Sequence, residues 1–206
     1  MPAIARVAGI EGATFVDVGA GTGRVTRLLL DAGARRVVAF DEAPAMIEVA
    51  RRNLASVEGS RWSAGVADAG SLPLEDGAVD HAIAGWVFGH QRSWAPDWKT
   101  SIAAGLAEMS RVVRPGGAVI VIETLGTGNE EPSPPRPELA EYYAWLETAQ
   151  GMQRAWVRTD YRFPDSATAI ELTSFFFGAE LADRVRRSAT ARLPECTGLW
   201  WRRKDA

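Results

Sequence analysis

A carboxylate and three alternating glycines stand close together in VDVGAGTG, residues 16–23. Glycines 19, 21 and 23 lack Cβ atoms, so a ligand can press against the main chain there. The helical pattern that starts near Arg24 would turn its N-terminal amides and positive dipole end toward that ligand. Spacing narrows the chemistry. A dinucleotide turn requires a third glycine three residues after the second, but counted from Gly19 that position is Arg24, and from Gly21 it is Thr26. No Gly-Lys-Ser/Thr follows, so this is no P-loop. Asp17 would repel a pyrophosphate and attract an ammonium group, which points to a ligand with positive charge near the turn. Asp41 ends the next apolar run and can accept hydrogen bonds from both hydroxyls of a ribose. Asp68 ends the third, well placed for the exocyclic amine of an adenine. Each aspartate alone is also what a turn prefers. Three of them at successive strand ends, together with the glycines, make a site.

Proton chemistry has fewer candidates. His90, in GWVFGHQRSW, is the candidate catalytic residue, because histidine takes up and releases protons near neutral pH. Its alternative reading is a loop or capping histidine. His81, beside Asp80 inside a strand pattern, reads as structural. Glu123 ends the fifth apolar run, where it would orient a substrate or cap the chain. Tyr142 and Tyr143 read as packing residues, with one hydroxyl turned to a substrate as the alternative. Among eight tryptophans, Trp86, Trp94 and Trp98 cluster after the fourth strand pattern, and Trp145 and Trp156 follow a later loop. Aromatic walls suit a flat or apolar substrate and stabilise cations through their ring faces. Trp86 is expected beside the ligand, and Trp156, Trp200 and Trp201 in packing. Phe175, Phe176 and Phe177 read as core, as a pocket wall or as a homodimer surface, and no metal site is expected.

These residues need a frame, and the apolar pattern supplies one. Strands are expected at Thr14 to Gly19, Arg36 to Asp41, RWSAGVAD, AVDHAIAGWV and GAVIVIET, with helices between them. Pro115 closes the helix Ile102 to Val113, and Gly116 and Gly117 turn the chain into the fifth strand. Strands alternating with helices imply parallel units, with helices on both faces of an open sheet. Ligands of such sheets bind beyond the carboxyl ends of the strands, where strand order reverses. From Gly126 to Pro137 four of twelve residues are proline, which predicts a loop outside the sheet. A helix at Glu138 to Gln150, a strand in AWVRTDYRF, a helical stretch from Ser166 to Arg187 and a strand in LPECTGLWWRRK complete the reading. The whole, residues 1–206, reads as one domain, with 1–125 as the ligand-binding core and 126–206 as the substrate side.

Composition excludes several classes of function. A net charge of −3 provides no field toward nucleic acid. One cysteine, Cys196, allows no internal disulfide. No run approaches the roughly 20 apolar residues of a membrane span, and the N-terminal residues carry no signal-peptide pattern. The expectation is a soluble cytoplasmic protein acting on a small molecule, without nucleic-acid or membrane partners.

With these motifs the chain resembles the class I S-adenosylmethionine-dependent methyltransferases, in the branch of the ubiquinone and menaquinone methyltransferases. The resemblance covers Thr14 to Glu123 and rests on VDVGAGTG, on Asp41 with the APAM turn, on VADAGSLPLEDGAVD and on EMSRVVRPGGAVIVIE. It implies a Rossmann-like α/β sheet of seven strands, mostly parallel, with an antiparallel C-terminal hairpin. It also implies S-adenosyl-L-methionine as cofactor, with Asp17, Gly19, Ala20, Gly21 and Gly23 at its methionine part. Asp41 would hold the ribose, Glu42 and Met46 flank the adenine, Asp68 and Ala69 read its edge, and Gly85 and Trp86 touch the methionine end. One departure concerns the dozen or so residues before the first strand, where the family usually has covering helices. The proline-rich loop, the helix after it or a second subunit would then provide the cover. The rival readings are a non-catalytic cofactor-binding or regulatory subunit and, less favoured by the glycine spacing, a nicotinamide-dependent oxidoreductase. Nucleic-acid methylation fits poorly, because GWVF stands where an Asn/Asp-Pro-Pro-Tyr/Phe motif would follow the fourth strand.

Overall fold

The computed structural model describes residues 1–94 and 96–205. A seven-stranded sheet forms its frame, in the order β3-β2-β1-β4-β5-β9-β6. Its first strands are β1 (Thr14–Val18), β2 (Arg36–Asp41), β3 (Trp62–Val66), β4 (Val79–Gly85) and β5 (Val113–Thr127). All four neighbouring pairs among them are parallel. The antiparallel C-terminal part is made by β6 (Gln153–Arg158) and β9 (Glu195–Arg203), as expected. Helices α2 (Arg24–Asp31), α3 (Pro44–Leu54) and α5 (Trp98–Val112) connect the parallel strands, and α1 (Pro2–Val7) precedes them. Strand β1 is buried at every residue because sheet neighbours and helices enclose it on all sides, which explains its unbroken apolar run.

The described chain divides into two compact units. The first comprises residues 1–123, 141–155 and the segment from Leu199 onward. Its core joins Phe15, Leu29, Ile83 and Ile120, all fully buried. Burying each such side chain stabilises the fold by ~1.5–3 kcal/mol. Helix α6 (Pro137–Thr148) contributes Tyr142 and Tyr143 to this unit, both buried as the packing reading expects. Trp200, also fully buried, stacks on Tyr143 with ring centres 4.5 Å apart.

The second unit comprises residues 124–140 and 156–198. The helical stretch expected from Ser166 to Arg187 is broken there into α7 (Ser166–Phe177) and α8 (Ala179–Ser188), because Gly178 takes a positive φ of 89°. Asp165 caps α7 by accepting the Thr168 amide at 2.7 Å. The small core here is Ala169, Val185 and Leu193, with Phe177 packed against it. Phe175 and Phe176 are 79% and 66% exposed, so of the three phenylalanines only Phe177 packs on a core. The expectation of packing fails for Trp156, which is 40% exposed. The short strands β7 (Tyr161–Arg162) and β8 (Arg192–Leu193) pair antiparallel, and Arg158 and Arg192 share Asp160. Among the described residues no helix is long and apolar enough to cross a membrane.

The Pro-Gly-Gly turn expected before β5 takes an unusual form. Val113 lies opposite Val79, and the next paired residues are Ala118 and His81, so residues 114–117 bulge opposite the single residue Asp80. Asp80 holds the bulge by accepting Arg114 Nε at 2.5 Å and the Thr14 amide at 2.7 Å. A Cβ on Gly117 would meet the Asp80 carbonyl oxygen at 2.2 Å, so only glycine lets β5 approach β4 here. Gly117→Ala is expected to cost about 1–3 kcal/mol in urea denaturation through overpacking; an unchanged midpoint would contradict this role.

Candidate functional site

Strand β1 pairs with β2 on one side and β4 on the other, both parallel, so strand order reverses between β1 and β4. A cavity of about 480 Å³ opens at that point, lined by residues just past the ends of β1, β2, β3 and β4. From the turn after β1 come Gly19, Ala20 and Gly21. Asp41, Glu42 and Met46 follow β2, Ala69 follows β3, and Gly85 and Trp86 follow β4. His90 lines the same cavity. These ten expected site residues are brought together from four separate loops.

Main-chain contacts hold the mouth open in a defined shape. The Gly21 amide donates to Asp41 Oδ2 at 2.8 Å and the Ala20 amide to the Phe40 carbonyl at 2.9 Å, tying the glycine turn to the end of β2. Asp41 Oδ1 accepts the Ala43 amide at 2.9 Å and so also shapes the entry to α3. Gly19 has φ +65°, and a Cβ there would lie 2.4 Å from a Val87 methyl carbon. Absence of that atom lets the β1 turn pack against the chain leaving β4. Trp86 has φ +58°, uncommon for a bulky residue, and donates its amide to the Ile122 carbonyl at 2.7 Å. The Arg24 guanidinium lies over the Trp86 ring, 4.3 Å from its centre.

Three expected residues lie outside the cavity lining. Gly23 starts α2 in the left-handed region, where a Cβ would meet Ala50 and Leu54 of α3, so its part is helix packing. Asp68 is exposed and accepts the Gly70 amide at 2.7 Å, shaping its own loop, while its neighbour Ala69 faces the cavity. Asp17 is 1% exposed, and its Oδ2 accepts the Thr26 hydroxyl at 2.6 Å. Its Oδ1 is buried without a hydrogen-bond partner among the described residues. Burial pushes this carboxyl up to about 7, against the opposing hydrogen bond from Thr26. An unpaired buried carboxyl oxygen costs about 1–3 kcal/mol, a deficit that a donor from a ligand would remove.

Phe88–Trp94, to which the sequence reading assigns no element, forms helix α4. His90 and Trp94, one turn apart, stack with ring centres 5.5 Å apart, and both line the cavity with Gln91. The i, i+1, i+4 spacing of these three was the available signal. His90 itself is exposed. His81 is buried and accepts the Ala118 amide on Nδ1 at 3.1 Å, in keeping with a structural histidine. Glu123 is 3% exposed, outside the lining, and burial pushes it up to about 8 despite amide hydrogen bonds from Gly89 and Phe88. The Tyr142 hydroxyl, 3.4 Å from Glu123 Oε1, is raised well above its ordinary range by burial and by that acid.

Residues 16–121 match the methyltransferase domain family. A malonyl-[acyl-carrier protein] O-methyltransferase of Serratia marcescens is 36% identical over 118 residues, 57% of this chain and 40% of the relative. A demethylmenaquinone methyltransferase of Staphylococcus epidermidis is 30% identical over 192 residues, 87% of this chain and 72% of the relative. The chain thus spans about two-fifths of the first relative's length. Among solved structures, the [4+2]-cyclase SpnF superposes with a TM-score of 0.64 at 19% identity, over all of this chain and 80% of the other. That likeness is one of fold alone. By the sequence matches the chain belongs to the methyltransferase domain family, and it resembles the class I quinone methyltransferases.

Proposed function

We propose that the cavity at the β1/β4 reversal binds S-adenosylmethionine and that the chain transfers its methyl group to a small, flat or apolar acceptor. The observation that carries this reading is the unpartnered Asp17 Oδ1 behind a glycine turn whose neighbours are Asp41, Glu42 and Trp86. Asp17 would take the amino group of the methionine part, with Gly19, Ala20 and Gly21 against its chain. The Asp41 carboxylate keeps lone pairs for two ribose hydroxyls while it holds Gly21 and Ala43. Met46, Glu42 and Ala69 would border the adenine, and Asp68 would act through the loop that presents Ala69. Gly23 would serve by setting α2 behind the turn.

When bound, the cofactor supplies a methyl group on a cationic sulfur, open to in-line displacement by an acceptor lone pair. The residues here supply proximity and exclusion of water, contributions worth on the order of 7–11 kcal/mol in favourable cases. Trp86, Trp94 and Val87 offer the acceptor an apolar wall. His90, which lines the cavity, would take a proton from an acceptor that starts protonated. The two relatives named above are called after malonyl-[acyl-carrier protein] and demethylmenaquinone, so both kinds of acceptor belong in a first panel. We further propose a small-molecule acceptor over a nucleic acid, supported by the net charge of −3.

Calorimetry with S-adenosylhomocysteine, the demethylated product, is expected to give a dissociation constant in the micromolar range, about −8 kcal/mol. Absence of heat with both cofactor forms would sink the reading. Gly19→Ala, which drives a methyl group into Val87, is expected to weaken that binding at least about tenfold, and Asp41→Ala by a similar factor. Parent-like affinity in Asp41→Ala would remove the ribose assignment.

Asp17 sets a pH dependence with opposite signs for folding and binding. Its folded pKa of about 7 lies above the ordinary 3.8, so the stability it contributes is full below 3.8 and is lost as pH rises through 7. An ammonium ligand requires the ionised form, so product affinity should rise by up to about tenfold per pH unit below 7 and level off above it. Asp17→Asn should flatten both profiles; a parent affinity independent of pH between 5 and 8, within about twofold, contradicts the pairing. His90→Gln is expected to leave product affinity unchanged and to slow turnover of a protonated acceptor by about 10²-fold or more. Turnover equal to the parent's would return His90 to a loop role.

A further inference from the structure

The strongest unexplained feature of the first unit is Glu123, a buried acid at the end of β5 that makes no ion pair among the described residues. Its Oε1 accepts the Gly89 amide at 2.8 Å and lies 3.4 Å from the Tyr142 hydroxyl of α6. The Phe88 amide also points to it. These amides belong to the first turn of α4, whose N–H groups have no partner within the helix itself. The two sides fit closely: a Cβ on Gly89 would lie 2.8 Å from Glu123 Oε2, so any larger residue would push the carboxyl away. His90 and Gln91 stand in that same turn and Trp94 one turn further along α4, and the three line the cavity together with Val87 just before the helix.

We propose that Glu123 is a positioning residue for the cofactor and acceptor cavity: it pins the first turn of α4 to the end of β5, so that His90, Gln91 and Trp94 face the bound molecules. The proposal rests on the reading of that cavity given above. Glu123 touches neither ligand; it acts through Gly89. The groups that face it are the α4 amides and the Tyr142 hydroxyl, with Tyr143 behind Tyr142. The outer side of α4 is held separately, by Arg92 paired to Glu141, which also takes Lys99. At pH 7 the buried group is largely neutral, so a neutral amide oxygen can stand in for it.

Three variants of the full chain test this: Glu123→Gln, which keeps an acceptor for Gly89; Glu123→Leu, which removes it; and Gly89→Ala, which leaves Glu123 but displaces it. Amide hydrogen exchange reads the position of α4 without any ligand, and S-adenosylhomocysteine calorimetry reads the cavity. We expect Glu123→Leu and Gly89→Ala each to speed exchange in residues 87–94 and to weaken product binding by about tenfold, the loss of one buried hydrogen bond. Glu123→Gln should stay within about threefold of the parent in both, and exchange in β1 and α2 should not change in any of the three. The proposal is overturned if Glu123→Leu exchanges and binds like the parent, or if exchange rises uniformly over the unit, which marks a merely structural acid. It is also overturned if Glu123→Gln is as impaired as Glu123→Leu. Should Glu123→Leu not fold, Gly89→Ala and Glu123→Gln carry the same comparison. A parent that binds no product defeats the cavity reading instead, and hydrogen exchange still decides whether Glu123 pins α4.

Discussion

The hydrogen bond from the Gly21 amide to Asp41 Oδ2 joins the ends of two neighbouring parallel strands. With the Ala20 amide on the Phe40 carbonyl, it fixes the glycine turn against β2 and defines one lip of the cavity. Everything else at the site is arranged around that closure. Gly19 can then meet Val87 only because it has no Cβ, which brings the chain leaving β4 to the other lip. Trp86 takes its left-handed backbone at that junction and presents its ring to Arg24 and the cavity. Such strain persists because the sheet and the Ile122 carbonyl hold the chain on both sides.

Two buried acids bracket this arrangement, and they answer the same energetic problem differently. Among the described residues neither Asp17 nor Glu123 has a cation beside it, so burial favours the neutral form of each. Asp17 has one oxygen occupied by Thr26 and one with no partner among the described residues, the oxygen that the proposed ammonium group would meet. Glu123 has its hydrogen bonds met within the unit, from α4 and from α6, so its demand is structural. The same residue chemistry thus separates into a group open to binding and a group closed over its neighbours.

Much of the fold was legible because parallel strands leave strong local marks. The observed bounds of β2 are those read from RVVAFD, and α3 begins at Pro44 as the proline requires. Elements set by distant contacts were not legible. Helix α4 is only seven residues long, and part of its hold comes from Glu123, far away in the chain. The bulge at residues 114–117 depends on Asp80 opposite it, and no property of the Pro-Gly-Gly run itself specifies that partner. Trp156, expected in packing, is 40% exposed, because residue type does not distinguish a covered tryptophan from an exposed one.

What the sequence by itself determined was the kind of site and its place. A glycine turn that fails dinucleotide spacing, an acid before it and acids after the next two strands are local patterns, and local patterns are set by neighbouring residues. Only the tertiary structure decided which of those residues face the cavity. Asp41 does, while Asp68 turns into its own loop and Asp17 lies buried behind the turn with one oxygen unmet. The tertiary structure also decided that His90 shares a helical face with Gln91 and Trp94. The physical reason is that a side chain's direction at a strand end depends on the register of the adjoining strands and on the helices packed over them, and both are set by contacts between residues far apart in the chain.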